Sequence, residues 1–78
     1  MTQQEKLLTK AKRHPEGLRF IEFQNLMRQC GWEKDHQRGS YEIWYSQQGI
    51  RLSIQNKNSM AKGYQVKQFL KCLEESYI

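Results

Sequence analysis

The stretch "DHQRGSYEIWYSQQGIRLSIQ", residues 35–55, constrains this chain more than any other. In "IRLSI", Ile50, Leu52 and Ile54 alternate with Arg51 and Ser53, the period of a strand with one buried face. "YEIWY", Tyr41 to Tyr45, is made largely of the aromatic and β-branched residues that favour strands. The links "RGS" and "QQG" are short and carry glycine, which suits hairpins. With one more extended segment ahead of them, strands are predicted near 32–37, 41–46 and 50–54 as an antiparallel meander. A sheet with one apolar face must bury it against another layer.

Amphipathic helices supply that layer. Over residues 19–30, Phe20, Phe23, Leu26, Met27 and Cys30 fall within one arc of roughly 120° at helical spacing. Gly31 stands where a left-handed cap would end this helix, and Trp32 can fold back over the last turn. Over 62–76 a second stripe is formed by Val66, Phe69, Leu70 and Leu73, continued by Tyr77, with Tyr64, Lys67, Gln68 and Lys71 opposite. A further helix is predicted over 3–13, opened by the capping-box pattern Thr2-x-x-Glu5 and stopped at "RHPEG" by Pro15 and Gly17. Its apolar residues are only Leu7, Leu8 and Ala11, so it is expected to be loosely held or to dock on a partner. The predicted order is α-α-β-β-β-α. The fold class is α+β: a two-layer sandwich of a three-stranded antiparallel sheet on two helices, with an extra N-terminal helix.

Seventy-eight residues make one domain, with a core too small for a deep cofactor cavity. Thirteen Lys and Arg against eight Asp and Glu leave a net charge of +5, which suits an anionic partner. The excess sits outside the strands: residues 1–30 carry six basic and three acidic side chains, 31–54 three and three, and 55–78 four and two. No apolar run approaches the ~20 residues that span a bilayer, and "MTQQEKLL" lacks the apolar stretch of a secretory signal. Cys30 and Cys72 belong to no CxxC pair, which points to a reduced, cytoplasmic chain.

The chemistry of common sites is missing. His14, His36, Cys30 and Cys72 have no metal-ligand spacing, no phosphate loop or dinucleotide fingerprint occurs, and no cofactor is implied. A Ser-His-Asp set from Ser40, His36 and Asp35 is formally available, but residues 35 and 36 of a strand point to opposite faces. One of Trp44 and Tyr45 is expected to pack in the sheet and the other to be free to stack on a base, with Trp44 the candidate.

The ordered set "LRFIEFQNLMRQCGW", "QRGS" before an aromatic strand, "RLSIQ" and "AKGYQVKQFLK" resembles the HicA, or YcfA-like, family of toxin–antitoxin proteins. The match runs from Leu18 to the C-terminus, so the chain divides into an N-terminal helix and linker, 1–17, and a HicA-like domain, 18–78. The resemblance implies a double-stranded-RNA-binding-like fold and a metal-independent ribonuclease acting on mRNA. It also implies a HicB-like antitoxin as partner, in a hetero-oligomer. Under it, Arg38, Lys57, Lys62, Lys67, Lys71 and Trp44 are the expected RNA contacts, with Gly39 and Ser40 shaping the active-site turn.

One position departs from the family. Where HicA toxins have "GSH", with the histidine held to be catalytic, this chain has "GSY", so Tyr41 stands in its place. Metal-free RNA cleavage needs a base for the 2′-OH proton and an acid for the leaving oxygen. Histidine ordinarily titrates near ~6.5 and can do both at neutral pH; tyrosine ordinarily titrates near ~10, with about one side chain in a thousand ionised. His36, on the strand before the turn, is either a solvent-exposed strand histidine or a residue that comes within ~5 Å across the hairpin and compensates. Two readings therefore stand: a ribonuclease using Tyr41 with His36, or a module that binds RNA or antitoxin and has lost cleavage.

Overall fold

A computed structural model describes the backbone of residues 3–76 and the side chains of residues 5–75. Helix α1 (Gln3–Arg13) leads through a single 3₁₀ turn, Pro15–Gly17, into α2 (Phe20–Gln29). Strands β1 (Glu33–Arg38), β2 (Tyr41–Tyr45), β3 (Arg51–Lys57) and β4 (Met60–Ala61) follow, and α3 (Gly63–Ser76) closes the chain. The strands form one antiparallel sheet in the order β1-β2-β3-β4, and the fold is a two-layer α+β sandwich. The expected Thr2 cap and the Tyr77 end of the apolar stripe lie outside the described residues.

The sheet has four strands where three were expected. The extra strand comes from a tight turn at Asn58 and Ser59, which both take positive φ (52° and 68°), with the Asn56 side chain accepting the Ser59 N–H at 2.8 Å. Paired positive φ values are what a two-residue hairpin requires. "NKNSMA" carries no apolar alternation to announce it. The short β4 then receives the chain entering α2: Phe20 N–H donates to the Ser59 carbonyl and Ala61 N–H to the Leu18 carbonyl, both at 2.9 Å.

The core lies between sheet and helices. Phe20, Phe23, Leu26 and Met27 of α2, Val66 and Phe69 of α3, and Trp44, Leu52 and Ile54 of the sheet are buried together. Phe69 is its centre, meeting Phe23 and Trp32 edge to face, each at 5.6 Å between ring centroids. Trp32 reaches it as the sequence predicted: Gly31 takes φ 89°, and Trp32 N–H folds back to the Met27 carbonyl at 2.9 Å. Helix α1 is not loosely held. Leu7 and Ala11 are in the same core, Ala11 wholly buried, because a methyl side chain lets helices approach closely where larger residues were sought. Among the described residues no helix is long and apolar enough to cross a membrane.

An ion pair fastens α1 to α2: Lys10 Nζ lies 2.9 Å from Glu22 Oε1, and the same carboxylate accepts the Arg19 N–H at 3.0 Å, capping α2. Burial works to raise the Glu22 pKa, but the hydrogen bonds from Lys10 and Arg19 and their charges outweigh it and hold it below the usual carboxylate value. A depressed carboxylate adds stability above its unfolded pKa and loses it as pH falls through the folded one. Glu22→Gln should therefore cost about 0.5–1 kcal/mol at pH 7, in the range of partly exposed ion pairs, with the difference from wild type closing in acid as the pH falls through the lowered pKa of the carboxylate. Urea titrations at pH 7 and in acid measure it. Phe69→Ala should cost about 3–5 kcal/mol by the same measurement, through the cavity it leaves.

Candidate nucleic-acid interface

The register of β2 decides which residues can meet a ligand. Residues paired across an antiparallel sheet share a face. Glu42 pairs with Ile54 and Trp44 with Leu52, so these four point toward the helices. The outward face carries three rows: Arg38–Tyr41–Gln55, His36–Ile43–Ser53 and Glu33–Tyr45–Arg51. Ile43 is buried yet stands apart from the core cluster, as expected of a residue at the centre of the outward face between Tyr41 and Tyr45.

Tyr41 leads this face. The two-residue turn Gly39-Ser40, with Gly39 at φ 59°, delivers it at the first position of β2, where it is 41% exposed. Ser40 Oγ accepts a hydrogen bond from Gln55 Nε2 at 2.9 Å, which ties the turn to β3. Gln55 Oε1, on the same row as Tyr41, is buried and has no hydrogen-bond partner. Beside Tyr41 runs an open groove of about 570 Å³ between β3 and α3, whose lining includes Arg51, Ser53, Tyr64, Gln68, Lys71 and Glu75. Tyr41 and Tyr64 are two of the three large apolar side chains exposed among the described residues; the third, Ile21, lies on α2.

Of the residues expected from sequence, the structure brings Tyr41, Ser40, Gly39 and Arg38 together at one end of this face, with Lys71 across the groove. Lys57, two residues beyond Gln55 at the Tyr41 end of β3, and Lys67 are exposed but do not line the groove. Lys62 lies 5.9 Å from the Tyr64 ring and pairs with the groove only through it. Trp44 is a correction: it is wholly buried, its indole Nε1 donates to Glu42 Oε1 at 3.1 Å, and Arg28 stacks over its ring, so no base can stack there. Even parity with Leu52 sent it inward, leaving Tyr45 as the half-exposed member of the pair.

His36 is an exposed histidine of β1, not a partner standing opposite Tyr41. Arg38, not His36, stands opposite Tyr41; His36 faces Ile43, one diagonal step away, at ~7–8 Å for such neighbours. A β-bulge shifts the register between Lys34 and His36, so Asp35 and His36 do not point apart as regular alternation requires. Instead His36 Nδ1 and Asp35 Oδ2 are 2.6 Å apart. Ser40, engaged by Gln55, completes no triad with them.

Sequence reasoning missed Arg51 and Tyr64, which it left on polar faces of a strand and a helix. The tyrosine opposite the apolar stripe of α3 was the available signal. A second groove, of about 460 Å³, is lined by Lys6, Thr9, Lys10, Arg13 and His14 of α1 and its end. It is basic but has no aromatic side chain, and Lys10 is committed to Glu22. Among the described residues no cluster of three metal-ligating side chains occurs. Comparison of the chain with protein-family models, curated proteins and solved structures gave no match.

Cys30 and Cys72 form no disulfide. Burial, then the Glu75 charge, push the Cys72 thiol above its usual pKa against the weaker pull of Lys71. The thiolate is the reactive form. Cys72 should therefore alkylate with iodoacetamide more slowly than a free thiol at pH 7.5, and accelerate as pH rises beyond 9. Mass spectrometry of the labelled peptide reads both rates.

Proposed function

We propose that the chain is a HicA-like RNA-binding protein of a toxin–antitoxin pair, with slow, metal-independent RNA cleavage and a HicB-like antitoxin as partner in the cytoplasm. The observation that carries this reading is the position of Tyr41. It follows the Gly39-Ser40 turn on the outward face of the sheet, exposed opposite Arg38 and at one end of the groove that Arg51 and Lys71 also line. An aromatic hydroxyl exposed in that place is available to a ligand, as a buried strand residue would not be. This is also where the HicA resemblance puts the histidine of the family.

The chemistry then follows from the side chain present. Tyr41 can donate a hydrogen bond to a phosphate oxygen or supply a proton to a leaving oxygen. It has no ring nitrogen to take the 2′-OH proton near neutral pH. His36, oriented by Asp35, is on the same face but a diagonal step away, too far to act where Tyr41 acts without a shift of the RNA between them. Arg38, opposite Tyr41, offers charge to the phosphodiester.

Losing a positioned general base typically costs 10²- to 10⁴-fold. Tyr41→His should therefore raise cleavage of a labelled RNA in EDTA by at least ten-fold, with a pH dependence near neutrality. Tyr41→Phe, which keeps the ring and loses only the hydroxyl, should stay slow and bind RNA no more tightly than wild type. Brisk cleavage by wild type that Tyr41→Phe abolishes would make the tyrosine itself catalytic. No change in either variant would leave the turn without a catalytic role.

A further inference from the structure

We infer that the groove between β3 and α3 is a subsite for an unpaired nucleotide, with Tyr64 as the stacking residue that positions the strand against Tyr41; this rests on the RNA reading above. Tyr64 is 56% exposed on α3, yet its position is fixed from below. Gln65 beside it is buried to 2% exposure and uses both ends of its amide: Oε1 accepts the Gln55 N–H of β3 at 2.8 Å, and Nε2 donates to the Tyr64 hydroxyl at 3.3 Å. The first bond occupies a strand donor beyond the reach of β4, which pairs only with Asn56 and Lys57. The second turns that anchor into a support for the ring. With the Lys62 ammonium 5.9 Å over one side of the ring, an aromatic side chain held in place and still more than half exposed is what base stacking needs, because every base has a π-face and little side-chain entropy is then lost.

The rest of the groove suits a single strand of nucleic acid. Arg51 on β3 and Lys71 and Glu75 on α3 line it, so two cations against one carboxylate leave the lining net positive. Ser53 and Gln68 add neutral hydrogen-bonding groups. Tyr41 lines the same groove, so a strand laid along it passes from Tyr64 to the turn. A duplex keeps its bases stacked on each other and cannot offer one to Tyr64. Arg51, Tyr64 and Gln65 thereby become positioning residues rather than catalytic ones.

The test is fluorescence anisotropy with a short fluorescein-labelled single-stranded RNA of mixed sequence, and with the same RNA annealed as a blunt duplex. Wild type should bind the single strand more tightly than the duplex. Tyr64→Ala should weaken single-strand binding roughly 5- to 100-fold, the range of lost base–aromatic stacks, and leave duplex binding within about two-fold. Tyr64→Phe, which keeps the ring, should retain most of the affinity. Arg51→Ala and Lys71→Ala should each flatten the salt dependence by about 0.7 in log–log slope. Circular dichroism on each variant separates these effects from unfolding. Wild type that binds no RNA at low salt overturns the RNA reading itself. Wild type that binds while Tyr64→Ala loses nothing, or loses single strand and duplex equally, overturns the subsite and leaves the RNA reading standing.

Discussion

The register of β2 against its neighbours is the constraint from which the site follows. The Gly39-Ser40 turn pairs Arg38 with Tyr41, and from there parity sends Glu42 and Trp44 to the helices and Tyr41, Ile43 and Tyr45 outward. A slip of one residue would exchange the two sets. The inner set holds the register because it cannot be exposed and replaced cheaply. Glu42 is buried, and its carboxylate accepts Gln24 Nε2 at 2.8 and 3.1 Å and Trp44 Nε1 at 3.1 Å, with Lys34 Nζ at 3.6 Å. A buried carboxylate without those partners would be several kcal/mol unfavourable, roughly, so the network and the register are correct together or lost together.

That network joins the two layers. Gln24 is on α2 and Glu42 on β2, so one set of hydrogen bonds fixes how the helix sits on the sheet while Arg28 covers the Trp44 ring. Phe69 does the same for α3 through its contacts with Phe23 and Trp32. With the inner face filled and the helices fixed on it, Tyr41 and Arg51 are left exposed on the outward face of the sheet. The edge strand β1 is exposed along all six residues and interrupted by a bulge, features that discourage pairing with another strand.

Periodicity made the large elements readable. Phe23, Leu26 and Met27 could only be one helical face, and Leu52 and Ile54 one strand face, because burial of apolar area dictates both patterns. The cap at Gly31 was readable because a left-handed residue after an apolar stripe has few other uses. What stayed hidden depends on contacts distant in sequence or on single side chains. Nothing in "NKNSMA" reveals that Asn58 and Ser59 turn back to meet the entry to α2. The bulge at Asp35 overrides strand alternation without a glycine to mark it. Trp44 and Tyr45 are adjacent aromatics, and which one faces inward is set by pairing with Leu52 rather than by either residue. The groove needs α3 beside β3, a relation carried by Gln65, whose amide looks like any polar helix residue in the sequence.

The central claim is that RNA meets the outward face of the sheet at Tyr41 and the adjoining wall of α3. Amide chemical shifts of the ¹⁵N-labelled protein, followed during titration with single-stranded RNA, test it most directly. The account predicts the largest shifts at Arg38 to Ile43, at Arg51 to Gln55, and along α3 from Tyr64 to Lys71, with the α2 amides nearly still. Largest shifts along Lys6 to His14 instead would place RNA on the basic face of α1 and contradict it.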